Sequence, residues 1–172
     1  MSERGIRTVD ELVEAGFVAE QGRSGLERVA SRYAIGITPD LAALIDPDDP
    51  DDPIAAQFVP KLAELETTNL ELSDPIGDHA HSPVPGIVHR YPDRVLLKLV
   101  HVCPVYCRFC FRREMVGPEG DGTLTAEAIA RAIDYIRADA RIWEVIFTGG
   151  DPLILSPRRL REVMEQLATI EH

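Results

Sequence analysis

Val95-Leu96-Leu97-Lys98-Leu99-Val100-His101-Val102-Cys103-Pro104-Val105-Tyr106-Cys107-Arg108-Phe109-Cys110 decides how this chain is read. Its first six residues are a short, mostly apolar run of strand length, as expected of a strand buried on both faces. The run leads directly into a loop that holds every cysteine of the protein. Three thiols spaced CxxxCxxC can fold back onto one centre. Soft thiolates with no fourth cysteine in the sequence suit an iron-sulfur cluster with one open iron, which is free to bind a substrate. Zinc is the rival. Structural zinc takes four ligands, and His101 as the fourth would give HxCxxxCxxC, but four ligands within ten residues make an unusual zinc geometry. A disulfide framework is excluded, because the number is odd and the spacings are too short.

Working outward toward the C-terminus, Gly117, Gly120 and Gly122 mark a turn, and Thr125 caps a helix whose apolar face is Ala126, Ile129, Ala130, Ile133 and Ile136. Trp143-Glu144-Val145-Ile146-Phe147 is a second strand, ending at Thr148-Gly149-Gly150-Asp151-Pro152. Ser156-Pro157 starts a last helix with Leu160, Val163, Met164 and Leu167 on one side. Strand, loop, helix, strand, loop, helix is a pair of βα units, so the class is α/β, and a right-handed crossover makes the two strands parallel. Ligands of parallel α/β folds lie outside the carboxyl ends of the strands, so the cysteine loop and the Gly149-Gly150 turn should flank one site. The glycine pair has two readings: positive backbone dihedrals for a tight turn, or a backbone that comes close to a ligand.

Outward toward the N-terminus, residues 73–93 form a connector rich in proline and glycine, with Pro75, Gly77, Pro83, Pro85 and Gly86. Its histidines, His79, His81 and His89, match no standard zinc spacing and read as surface residues. Residues 1–72 read as a helical region without chemistry. Thr8 caps a helix through Val9, Leu12 and Val13, a second apolar face runs Leu26, Val29, Ala30 and Tyr33, and Thr38-Pro39-Asp40 starts a third helix. Asp46-Pro47-Asp48-Asp49-Pro50-Asp51-Asp52-Pro53 is a solvated loop, since its prolines forbid a regular element and it lacks the glycine turn of a calcium loop. Ile54 to Leu65 resumes a short amphipathic pattern. The expected organisation is thus 1–72 helical, 73–93 connector and 94–172 α/β.

A chain of 172 residues with 45% hydrophobic content can build one ordinary core. It is too short for a closed eightfold α/β barrel, which takes roughly 250 residues. No stretch approaches the ~20 apolar residues of a membrane span, and no apolar signal core follows Met1. Reduced cysteines point to a reducing compartment, and the expected location is cytoplasmic. The formal charge of −11 argues against nucleic acid as a partner. Against that background Arg90, Arg94, Lys98, Arg108, Arg112 and Arg113 form a local concentration of positive charge.

The cysteine loop after a first strand, with Phe109 before the last cysteine and a Gly-Gly-acid turn after the second strand, resembles the radical S-adenosylmethionine superfamily. Ser82-Pro83-Val84-Pro85-Gly86-Ile87-Val88-His89-Arg90-Tyr91-Pro92-Asp93-Arg94-Val95-Leu96-Leu97, followed by Cys107-Arg108-Phe109-Cys110-Phe111-Arg112-Arg113, narrows the resemblance to the lysine 2,3-aminomutase family. It runs from about Asp74 to the C-terminus.

The resemblance implies a partial (β/α) barrel of the radical SAM type, its first two βα units preceded by the helical region. It implies that Cys103, Cys107 and Cys110 hold a [4Fe-4S] cluster whose fourth iron chelates S-adenosylmethionine, the source of a 5′-deoxyadenosyl radical. Gly149, Gly150 and Asp151 would contact the adenosylmethionine, Arg90, Tyr91 and Arg94 would bind pyridoxal 5′-phosphate, and Arg112 would hold the substrate carboxylate. For Arg94 and Arg112 the competing reading is a structural ion pair. The implied reaction is an isomerisation that moves the 2-amino group of lysine to carbon 3, from L-lysine to β-lysine, with an electron donor such as flavodoxin or ferredoxin as partner; a homo-oligomer is compatible with it. The chain departs from the family pattern in one respect. Its two lysines, Lys61 in a helical segment and Lys98 in a strand, do not stand where the family's pyridoxal lysine stands. The expectation is therefore an N-terminal fragment, inactive in isolation. Two alternatives stay open: the related aminomutase that makes β-lysine for modifying elongation factor P, and a non-catalytic iron-sulfur or zinc binding module.

Overall fold

The computed structural model describes residues 5–117 and 122–172; Met1 to Arg4 and Pro118 to Asp121, with Gly120 of the expected glycine turn, lie outside the described residues. The chain divides into two compact units. One contains residues 1–73 and 104–117, the other 74–103 and 118–172.

The first unit is made of short helices. Thr8 opens α1 (Val9–Glu14) with a reciprocal capping box, its hydroxyl accepting from Glu11 N–H while the Glu11 carboxylate accepts from Thr8 N–H. α2 (Arg23–Ala30) buries Leu26 and Val29, and α3 (Pro39–Ala42) starts as expected, with Thr38 as cap and Pro39 at the first helical position. Ile6 and Ile37 pair as an isolated antiparallel bridge, which closes the chain around α1 and α2. The Asp46–Pro53 stretch is a run of turns. Asp52 is buried there because its carboxylate accepts from the backbone N–H groups of Asp46, Ile54 and Ala55 ahead of α4 (Ala55–Phe58). The expected amphipathic segment to Leu65 is thus split into α4 and a 3-10 turn over Leu62–Leu65.

The second unit is built on a three-stranded mixed sheet in the order β1-β2-β3. β1 (Ile87–Tyr91) lies within the stretch read as a connector. It pairs antiparallel with β2 (Arg94–Val100) through a tight turn at Pro92-Asp93. Alternation was hidden there because His89, Arg90 and Tyr91 are polar or exposed, so the segment does not look like a buried strand. β3 (Glu144–Gly149) runs parallel to β2, as the crossover rule requires, with Val95 opposite Val145 and Leu97 opposite Phe147.

α5 (Ala126–Ala138), capped by Thr125, and α6 (Pro157–Leu167), capped by Ser156, cover one face of the sheet. That face supplies Ile87, Val95, Leu97 and Leu99, which pack with Ile129, Ile133 and Ile136 of α5 and Val163 of α6. The period of two along β2 then assigns Arg94, Leu96 and Lys98 to the opposite face, beside Glu144, Ile146 and Thr148 in register. Leu97 is fully buried at the centre of the helix-covered core. Leu97→Ala is expected to cost about 2–5 kcal/mol in urea unfolding, with the slope of the transition unchanged.

Candidate functional site

The three cysteines are half-buried and outside any disulfide, and they fall in both units: Cys103 in the second, Cys107 and Cys110 in the first. Among the described residues no three His, Cys, Asp or Glu side chains surround a position for a single metal ion. An iron-sulfur cluster makes a different demand, because each thiolate takes an iron of its own.

In the first unit, residues 104–117 are laid on the helices by backbone bonds and by one buried ion pair. Tyr106 N–H donates to the Gly36 carbonyl at 3.0 Å and Arg108 N–H to the Gln57 carbonyl at 2.8 Å. The Arg108 guanidinium forks onto Glu64, Nε to Oε1 at 3.1 Å and Nη2 to Oε2 at 2.7 Å, while Nη1 reaches the Ala34 carbonyl at 2.7 Å. The two side chains are 8% and 12% exposed, so the pair is desolvated, but each guanidinium nitrogen and both carboxylate oxygens are hydrogen-bonded. Removing one partner would strand the other charge, at a cost of about 3–5 kcal/mol. Arg113 joins the same carboxylate, with Nη1 at 3.4 Å from Glu64 Oε2.

Cys107 packs against the apolar core of this unit. Burial pushes its thiol up from the ordinary range, and the neighbouring Cys110 thiolate adds to the rise. Cys110 N–H donates to the Cys107 carbonyl at 3.3 Å, which curls the loop. Phe109 and Phe111 are left exposed, and the Arg112 guanidinium lies 4.6 Å from the Phe111 ring centroid.

In the second unit, the turn after β3 crosses the residues that lead into Cys103. Gly150 N–H donates to the Val100 carbonyl at 2.5 Å and Asp151 N–H to the Val102 carbonyl at 3.1 Å. Gly149 has φ +110°, and a Cβ added to it would fall on the Val100 carbonyl oxygen; a Cβ on Gly150 would fall on the Val102 backbone. Both glycines are therefore required by the backbone they cross. The Asp151 carboxylate accepts from Leu153 N–H at 2.9 Å and caps the short turn Pro152–Ile154. The expected meeting of the glycine turn with the cysteine stretch holds within this unit as far as Val102, one residue before Cys103.

Arg90, Tyr91 and Arg94 gather at a cavity of about 160 Å³, together with Ile76, Leu96 and Ile146. Tyr91 and Arg94 are paired across the turn, and Tyr91 is 60% exposed. Arg94 chelates Asp93, with bonds of 3.0 and 2.8 Å, and lies 3.2 Å from Glu144, so the ion-pair reading weighed for it describes its state in this structure. Arg90 donates to the Ile76 carbonyl and lies 3.8 Å from the buried Asp78. The fork from Arg94 holds the Asp93 carboxyl down at about 2, and the Trp143 indole N–H assists.

Two of the connector histidines have side-chain partners. His89 Nδ1 meets the Tyr135 hydroxyl at 2.6 Å, and His79 lies 3.3 Å from Asp74. One contributor escaped the sequence reading, and one was read only as part of a run of positive charge. Glu64, the anchor of Arg108, carried no signal, being 44 residues away. Lys98 did carry one: it is a charge inside an apolar strand, it is 6% exposed, and it stands opposite Thr148 in the row below the glycine turn.

Residues 97–171, which hold all three cysteines and the glycine turn, match the Radical SAM superfamily. Over 167 residues, 97% of the chain, it is 39% identical to L-lysine 2,3-aminomutase of Clostridium subterminale, covering 40% of that protein, and 36% identical to L-lysine 2,3-aminomutase of Bacillus subtilis, covering 35%. Over the same length it is 35% identical to glutamate 2,3-aminomutase of Clostridioides difficile, covering 39%. The chain is thus similar to lysine and glutamate 2,3-aminomutases over nearly its whole length, and its residues 97–171 carry the Radical SAM match. It spans about two fifths of the length of the curated relatives it matches. Among the described residues no helix is long and apolar enough to cross a membrane.

Gly149→Ala is expected to destabilise the protein by about 1–3 kcal/mol through backbone conformation alone, and further through the collision with Val100, as read by thermal unfolding. Asp93 gives a pH test. Its folded value lies below the unfolded one, so the Asp93–Arg94 contribution is full above about pH 4 and is lost as pH falls through about 2. A carboxyl NMR titration should show that depressed midpoint, and Arg94→Gln should return it toward the ordinary carboxylate range.

Proposed function

We propose that this chain is part of a radical S-adenosylmethionine and pyridoxal phosphate-dependent aminomutase that moves the 2-amino group of lysine to carbon 3. The observation that carries the reading is the glycine turn pinned onto the residues before Cys103, in a chain whose only other cysteines sit on one anchored loop. Three thiols outside any disulfide are the donor set of a [4Fe-4S] cluster with one open iron. Cys103, Cys107 and Cys110 would hold it, and Gly149, Gly150 and Asp151 would present polar groups to the adenosylmethionine. Together, the cluster, adenosylmethionine and pyridoxal phosphate supply the one-electron and amino-transfer chemistry.

The chain's own residues bind and orient. The Arg112 guanidinium offers a planar fork to a substrate carboxylate. Arg90, Tyr91 and Arg94 offer two guanidiniums and a hydroxyl to a phosphate, at the price of sharing Arg94 with Asp93 and Glu144. Their cavity is smaller than the roughly 300–1,000 Å³ of ordinary ligand pockets, so it would supply one wall of a cofactor site. The two βα units would be the first of a (β/α) barrel, and the pyridoxal lysine would come from outside this chain. The protein would work in the cytoplasm with a flavodoxin- or ferredoxin-type electron donor.

The glutamate 2,3-aminomutase, at an identity close to that of the L-lysine 2,3-aminomutases, makes the substrate side chain the variable to test. Full-length protein, reconstituted anaerobically with iron, sulfide, adenosylmethionine and pyridoxal phosphate, is expected to convert L-lysine to β-lysine, followed by mass spectrometry with glutamate in parallel. Migration with glutamate alone reassigns the substrate; migration with neither removes the reading. The 172-residue chain by itself is expected to give no product.

A further inference from the structure

Tyr33, just past the end of α2, is 3% exposed, yet its surroundings are not those of an ordinary core tyrosine. Its ring lies 3.9 Å from the Arg113 guanidinium carbon. Its hydroxyl donates to Glu114 Oε1 at 2.8 Å, and Arg32 reaches the same oxygen at 3.1 Å. One side chain thus grips two consecutive residues, 113 and 114, directly after Arg112. On the other side of Arg112 the chain is gripped at Arg108 by Glu64. Between the two grips lie Phe109, Cys110, Phe111 and Arg112.

The backbone makes the second grip consequential. Arg113 N–H donates to the Cys110 carbonyl at 3.1 Å, and the N–H groups of Met115 and Val116 both donate to the Arg112 carbonyl at 2.9 Å. These turn bonds tie Cys110 and Arg112 to the residues at 113–116, so the placement of 113–114 bears on both. Burial and the Glu114 carboxylate raise the Tyr33 phenol above its ordinary value, which keeps the proton in the bond to Glu114.

We infer that Tyr33 is a positioning residue, which through Arg113 and Glu114 sets the direction of the Cys110 thiol and the Arg112 guanidinium. The roles of those two groups rest on the function proposed above; the mechanical coupling does not.

The test uses Tyr33→Phe in the full-length protein, which keeps the ring and deletes only the hydroxyl. In demetallated protein, the rate of Cys110 alkylation by iodoacetamide relative to Cys103, read by peptide mass spectrometry, is expected to change about threefold or more, since the loss of a hydrogen bond to a charged group frees the segment. In reconstituted enzyme the KM for the amino acid is expected to rise about tenfold with kcat within about twofold and iron content unchanged, the pattern of lost ground-state binding. Glu114→Ala should reproduce both effects without touching the core, and Glu114→Gln, whose amide oxygen still accepts the hydroxyl proton, should restore them. An alkylation ratio equal to wild type in both Tyr33→Phe and Glu114→Ala overturns the inference. So does a uniform rise at all three cysteines with a lowered Tm, the mark of a general structural role. If wild-type enzyme turns over neither amino acid while the alkylation ratio shifts, the proposed function falls and the coupling stands.

Discussion

Two peptide segments pass so close to one another at the end of the sheet that no side chain fits between them. Where β3 ends, the chain at Gly149 and Gly150 crosses Val100 to Val102, and even one methyl group on either glycine would collide with the backbone beneath. The parallel pairing of β2 and β3, the crossover through α5 and the entry to Cys103 all meet at this crossing. It fixes the height at which the chain leaves β2, and hence where the first thiol begins its reach. The two readings offered for the glycine pair, a tight turn or close approach to a ligand, are therefore joined by a third: close approach to the chain itself.

The first unit holds its share of the cysteine loop by another means. Among its described residues there is no sheet to continue, so position is set by backbone bonds from Tyr106 and Arg108 and by side chains: Arg108 on Glu64, and Arg113 between Glu64 and Tyr33. Buried charges gain little net stability over a well-packed apolar contact, but they are intolerant of misplacement, since each orphaned group pays its desolvation in full. An ion-pair network therefore gives precision rather than strength. In keeping with this, the short helices around it rely on Leu12, Val29 and Ile37, all nearly fully buried, for cohesion.

Most of the α/β part was legible because its signals are local. Thr125, Ser156-Pro157 and the apolar spacing of α5 and α6 state their own helices, and the apolar runs at 95–100 and 143–147 state the parallel strands. β1 was missed because Arg90 and Tyr91 make its outer half polar, and because a strand at the edge of a sheet need not be apolar on both faces. The cysteines and the glycine turn could be read as chemistry from type and spacing alone. Glu64 and Tyr33 could not, since their importance comes from what they touch 44 to 81 residues away. Arg94 illustrates the limit in the other direction: its residue type suits a phosphate, and of its carboxylate partners Asp93 is its sequence neighbour, whereas Glu144 is visible only in three dimensions.

The β1–β2 hairpin has a consequence for the order in which the chain assembles. Arg90 and Arg94 are four residues apart, and the turn that joins their strands is Pro92-Asp93, with proline presetting one backbone angle. Hairpins close in about 1–10 μs, whereas β2 and β3 must wait for the whole of α5 to span the gap between them. The two guanidiniums thus depend on the most local strand pairing in the second unit, one that can close without waiting for α5 to bring β3 alongside.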